Sequence, residues 1–88
     1  MYAFYIQVHF NSGKKGAAIQ LLNDEIIPQV KQAPGFVRGL WVGNEELGHG
    51  VVVFEAREQA AQLTQAMEPV ADVYSVVTTD VYEVHGEA

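Results

Sequence analysis

The stretch Pro34-Gly35-Phe36-Val37-Arg38-Gly39-Leu40-Trp41-Val42-Gly43 leads into Asn44-Glu45-Glu46-Leu47-Gly48-His49-Gly50 and then Val51-Val52-Val53-Phe54-Glu55. Two runs rich in Val, Phe and Trp flank a segment of turn formers. That pattern is a β-hairpin, with strands near 36–43 and 49–55 and a loop between them. On each side of the hairpin lie one helical pattern and one outer strand pattern. What packs against the hairpin therefore decides what the chain is.

On the N-terminal side, residues 2–10 alternate. Tyr2, Phe4, Ile6, Val8 and Phe10 share one face, and Ala3, Tyr5, Gln7 and His9 share the other. The first face is wholly apolar and must be buried. The second is mixed, as suits a partner or a half-wet cavity. Asn11-Ser12-Gly13 ends the strand. Residues 15–32 then place Ile19, Leu22, Ile26 and Val30 on one helical stripe, with Asn11 or Ser12 available as a cap. Pro28 removes a hydrogen bond and clashes one turn back, which predicts a kink or break near 24–27. Ala33-Pro34-Gly35 stops the helix and turns the chain into the hairpin.

On the C-terminal side, Ala56, Ala60, Leu63 and Met67 form the stripe of a short helix closed by Glu68-Pro69. Residues 73–85 are a β-prone run, longer than the usual strand of about five or six. A bulge near 78–80 is expected, or an overhang that pairs elsewhere.

Eighty-eight residues make one domain, spanning 1–88. A chain this short buries only about 60–65% of its unfolded surface. It has no cysteine to staple it, yet 49% of its residues are hydrophobic. A thin stability margin with apolar surface to spare favours an oligomer. The formal net charge is −6, and Lys14, Lys15, Lys31, Arg38 and Arg57 are dispersed. With no basic stripe, neither nucleic acid nor an anionic membrane surface is an expected partner. No apolar run reaches the ~20 residues of a membrane span, and the N-terminus lacks the pattern of a signal peptide. The expectation is a cytoplasmic protein.

Strand–helix–strand–strand–helix–strand in under ninety residues is a ferredoxin-like βαββαβ sandwich, an α+β fold with both helices on one face of an antiparallel sheet. The uncovered face still carries apolar positions. The simplest cover for it is the same face of a second copy about a two-fold axis, a homodimer through the open sheet face.

At this level the chain resembles the dimeric α+β barrel superfamily, and within it the antibiotic-biosynthesis-monooxygenase-like proteins. The resemblance covers nearly the whole chain. It rests on the Pro34-Gly35-Phe36 entry after a long first helix, on Trp41 in the following strand, and on Val51-Val52-Val53-Phe54-Glu55 leading into an Ala-rich helix. It implies cofactor-free oxidation of polycyclic phenols for some members and haem degradation for others. The haem-degrading members use an Asn on the first strand, a Trp on the third and a His on the second helix. Here the second helix has no His, Trp41 falls on the second strand, and Asn11 lies at a strand end. No bound cofactor is therefore expected.

The residues proposed for chemistry are His9, Tyr5, Asn11 and Trp41. His9 would act as a base near neutral pH, on the mixed face with Tyr5 and Gln7. Trp41 would stack on a flat aromatic ligand, or anchor the core. The opposing readings are a seam histidine for His9, a solvated turn residue for His49 and terminal surface for His85. Arg38 is expected to pair with Glu45 or Glu55 across the hairpin. Gly13-Lys14-Lys15-Gly16 lacks phosphate-loop spacing and reads as a solvated cap. Three scattered histidines make no metal site.

Three functions follow. The first is a cofactor-independent monooxygenase acting on a small aromatic substrate in a cavity between helices and sheet. The second is a non-enzymatic ligand-binding or assembly module of the same fold. The third is an amino-acid-sensing regulatory domain with its ligand at the 44–50 loop.

Overall fold

The computed structural model describes residues 1–66 and 72–88. Strand β1 (Tyr2–Phe10) leads to helix α1 (Lys15–Leu21), which passes through a π-helical turn (Leu22–Ile26) into α2 (Ile27–Lys31). Strands β2 (Phe36–Gly43) and β3 (Leu47–Phe54) form the hairpin, followed by helix α3 (Arg57–Ala66) and strand β4 (Tyr74–Glu83). The sheet is antiparallel in the order β2-β3-β1-β4. This is the expected ferredoxin-like arrangement, with the two outer strands of the sequence paired at its centre and one edge.

Local chemistry explains each junction. Pro28 sits in the first turn of α2, where a missing N–H costs least, and the wide turn just before it absorbs the clash. The expected kink is thus a π-helical turn. The N-cap position of α1 falls on Lys14, which makes no side-chain capping bond, rather than on Asn11 or Ser12. The hairpin loop is tighter than anticipated. Asn44 Oδ1 accepts from the backbone N–H groups of Glu46 (3.0 Å) and Leu47 (2.8 Å), so β3 begins at Leu47 and takes in His49. His49 is therefore a strand residue, not a solvated turn residue.

At the other end of the hairpin, Gly35 turns the chain with φ +80°, a conformation glycine adopts freely. Its missing side chain also leaves room for Gln59, whose Oε1 accepts from the Ala56 N–H (3.0 Å) and closes the start of α3. Met67, Glu68 and Pro69, expected to end that helix, lie outside the described residues. The bulge in β4 falls at Val77, where the pairing slips from Gln7–Thr78 to Val8–Val76, one residue before the expected 78–80.

The core is small. Phe4, Ile6, Val30, Val52, Phe54 and Ala60 are buried together, joining the helix-facing side of β1 and β3 to α2 and α3. Here the alternation of β1 is obeyed. Its other side, with Tyr5, Gln7 and His9, looks away from the helices onto the open sheet face. In register with these lie Val51 and His49 of β3, Leu40 and Val42 of β2, and Tyr82 and Asp80 of β4.

Arg38 does not pair with Glu45 or Glu55. Its guanidinium lies 3.4 Å from the Glu87 carboxylate instead. Val84 N–H donates to the Met1 carbonyl (2.9 Å), and the chain then leaves β4 at one edge and reaches Arg38 on the opposite edge. The tail must cross the end of the sheet where Ala3 and Val53 pair, and both are buried. Among the described residues no helix is long and apolar enough to cross a membrane.

Candidate functional site

A cavity of about 640 Å³ lies between the sheet and the first helix, α1 through α2. That volume falls in the range of small-ligand pockets. One wall comes from the helix: Ala18, Ile19, Leu22, Asn23, Ile26 and Ile27. The opposite wall is Ile6, Val8 and Phe10 of β1 with Phe36 and Trp41 of β2. The wide π-helical turn supplies Leu22, Asn23 and Ile26. Such turns recur at functional sites because they re-aim side chains. The cavity also explains why the helical stripe is not fully buried. Val30 packs into the core, whereas Ile19, at the other end, remains 46% exposed.

Glycines on the sheet side of the cavity make room for the rings that line it. Gly39, Gly43, Gly48 and Gly50 all line it. A Cβ on Gly39 would stand 2.7 Å from the Trp41 ring, and one on Gly50 would stand 2.7 Å from Trp41 Nε1. The indole therefore lies flat on the backbone of its own strand and of the strand beside it. Trp41 joins the core on one side and lines the cavity on the other. Both roles anticipated for this residue, core anchor and stacking surface, are compatible with that position.

The polar groups of the cavity are sparse. Asn23 donates from Nδ2 to the Ile19 carbonyl (2.9 Å), which engages its amide nitrogen and leaves Oδ1 as an acceptor. Lys15 forms an ion pair with Glu45 (3.1 Å), joining the start of α1 to the hairpin loop. The glycine-flanked lysine pair, expected as a solvated cap, thus contributes a cavity residue. Lys31 and Tyr74 also line the wall, and burial raises the Tyr74 phenol above its ordinary value.

The four residues proposed for chemistry are not brought together. Trp41 lines the cavity, while His9 and Tyr5 project from the opposite side of the sheet. Asn11 follows β1, where its N–H donates to the Val73 carbonyl (2.9 Å), and it does not line the cavity. On the open face Tyr5 finds a different histidine: its hydroxyl and His49 Nδ1 share a hydrogen bond of 2.8 Å. The two rings stack, and Tyr82 meets Tyr5 edge-on. Asp80 beside Tyr82 raises that phenol, with burial, a hydrogen bond to Asp80 and the Tyr5 charge acting in the same direction. His9 is exposed, in register with Leu47 and Ser75.

Asn23, Lys31 and the glycine floor were not singled out by sequence reasoning. The signal was present in part: four glycines between residues 39 and 50 mark positions of the hairpin where another group approaches the backbone closely.

No family model and no curated protein sequence matches the chain. Solved structures do. HapK from Hahella chejuensis superposes with a TM-score of 0.68 at 14% identity, covering 100% of this chain and 96% of that one. The haem degrader MhuD from Mycobacterium tuberculosis, solved with two haems in its active site, gives 0.72 at 16% identity, covering 100% and 99%. A protein provisionally assigned as an antibiotic biosynthesis monooxygenase, from Chloroflexus aurantiacus J-10-fl, gives 0.65 at 12% identity, covering 99% and 96%. The chain has the ferredoxin-like α+β fold that these structures share. At these identities the likeness concerns the backbone, and the cavity residues are this chain's own. It has no His on α3 and carries its single Trp on β2.

Proposed function

We propose that this protein binds a small planar aromatic compound in the cavity and acts on it as a cofactor-independent monooxygenase. The observation that carries the reading is the Trp41 ring laid flat on a glycine floor within an apolar cavity of about 640 Å³. Such a surface favours a flat π-system over an aliphatic one. In the oxidation, a ring carbon activated by a phenol hydroxyl becomes a carbonyl. The phenol carbon becomes the second carbonyl of a quinone, with loss of the C–H and O–H hydrogens. One oxygen atom of O₂ enters the first carbonyl and the other leaves as water with those hydrogens. The substrate supplies all the electrons, so the protein need only hold it away from bulk water.

The working unit is a homodimer formed through the open sheet face. Leu40 (64% exposed), Val42 (56%) and Tyr82 (53%) share that face, a density of apolar surface that marks an interaction site.

A second reading, a non-enzymatic binding module, is favoured by one fact: His9 and Tyr5, the base and phenol expected to act, lie across the sheet from the cavity. Oxygen uptake separates the two. Polycyclic phenols are added under air while an oxygen electrode records consumption and the fluorescence of the single tryptophan records binding. Uptake above the protein-free rate supports the monooxygenase. Quenching without uptake supports the binding module. No quenching with any planar compound overturns both.

A further inference from the structure

Resting on the reading of the cavity as an aromatic-ligand site, we infer that the compound it takes carries a carboxylate, which Lys31 holds while the ring stacks on Trp41. The chain has eleven acidic and five basic residues, yet two of the five bases line this cavity. No Asp or Glu lines it among the described residues. In an acidic protein, that local inversion of charge selects anions over cations.

The two lysines differ. Lys15 already faces the Glu45 carboxylate at 3.1 Å. Lys31 has no carboxylate within ion-pairing distance among the described residues. It stands at the last turn of α2, sixteen residues from Lys15 and so at the far end of the helical wall. A helix C-terminus draws a cation there by its dipole, but that alone does not place the lysine on a cavity wall. Besides the two lysines the lining is mostly apolar, Ile27 and Phe36 included. A planar acid satisfies both ends: the ring covers the indole and the carboxylate meets the ammonium. A neutral ring fills the same space and leaves Lys31 solvated. Lys31 is exposed, so the pair is partly screened by water and salt.

The test compares 2-naphthoate with its methyl ester by titration calorimetry at low salt, in the native protein and in Lys31→Gln. The acid is expected to bind about fivefold tighter than the ester, the upper end for an ion pair reached by water. The preference should vanish in Lys31→Gln and at 0.5 M salt, whereas ester binding stays unchanged in both. Lys14→Gln, which removes a lysine that does not line the cavity, serves as the control and should retain the preference. Equal binding of acid and ester to the native protein overturns the carboxylate assignment and leaves the aromatic cavity standing. A preference that persists in Lys31→Gln overturns it too. Binding of neither compound overturns the cavity reading along with it.

Discussion

Trp41 and Gly50 face each other across β2 and β3, and the indole occupies the volume a side chain at 50 would fill: a Cβ there would come within 2.7 Å of Nε1. Gly50→Ala therefore pushes the ring off the sheet. The cavity that Trp41 lines offers space to receive it, so the ring moves into the site rather than straining the core. Because it has somewhere to go, the stability cost should be near the low end for overpacking, about 1 kcal/mol. The expected outcome is a folded protein whose tryptophan emission shifts and whose binding of planar aromatic probes is lost. Retained binding with an unmoved emission maximum would show that the glycine floor does not shape the site.

The fold was largely legible because its signals are local and repetitive. The nine-residue alternation of β1, the i, i+3, i+4 stripe around Ile19 and Leu22, and the turn residues at Gly35 and Asn44 each point to one element. Pro28 announced a distortion at the right place without saying that it would be a π-helical turn. The site was less legible for a geometric reason. His9 and Tyr5 share the odd-numbered face of β1, and the parity of the strand alone puts that face opposite the side carrying Phe4 and Ile6. Which side holds a cavity depends on how the first helix packs on the sheet, and its walls come from helix and strands far apart in sequence. Likewise, Tyr5 meets His49 only through the β1–β3 register, and Arg38 meets Glu87 only because the tail crosses the sheet. None of these pairings has a sequence spacing to read.

The core tolerates little loss. Phe4 is 1% exposed and packs with Val52 and Phe54 between the helices and the sheet. Phe4→Ala should cost about 3–5 kcal/mol, combining lost transfer energy with a cavity the neighbours cannot close. Small domains have total stabilities of about 5–15 kcal/mol, so much of the margin disappears. Urea denaturation should show the midpoint falling sharply with little change in slope. A shift worth under 1 kcal/mol would mean that Phe4 is not the centre of the core.

The Tyr82 phenol should titrate above its usual value of 10.0, principally because of the Asp80 carboxylate beside it. Below pH 10 the group is protonated in folded and unfolded chains alike, and its linkage contribution does not vary. As pH climbs past 10, the unfolded chain releases a proton that the folded protein still holds, so stability falls. Tyr74, raised by burial, acts in the same direction. Ring-carbon NMR of labelled tyrosine should show the Tyr82 midpoint dropping back toward 10 in Asp80→Asn, with Tyr74 unmoved. An unchanged Tyr82 midpoint would remove Asp80 as the cause.

The open sheet face should bring two copies together. Leu40, Val42, Val51 and Tyr82 present apolar surface there, framed by the hydrogen-bonded Tyr5–His49 pair. Around a two-fold axis such a face meets itself, so polar groups at its centre must find partners within their own copy first, as Tyr5 and His49 do. Tyr82→Asp would place a carboxylate in the seam close to Asp80, where the partner's matching charge approaches as well. Its desolvation and like-charge repulsion should weaken association by about hundredfold or more. Sedimentation at micromolar concentration should show a dimer for the native protein and a monomer for Tyr82→Asp, while circular dichroism shows both folded. A native protein that sediments as a monomer would mean the face is covered by something other than a second copy.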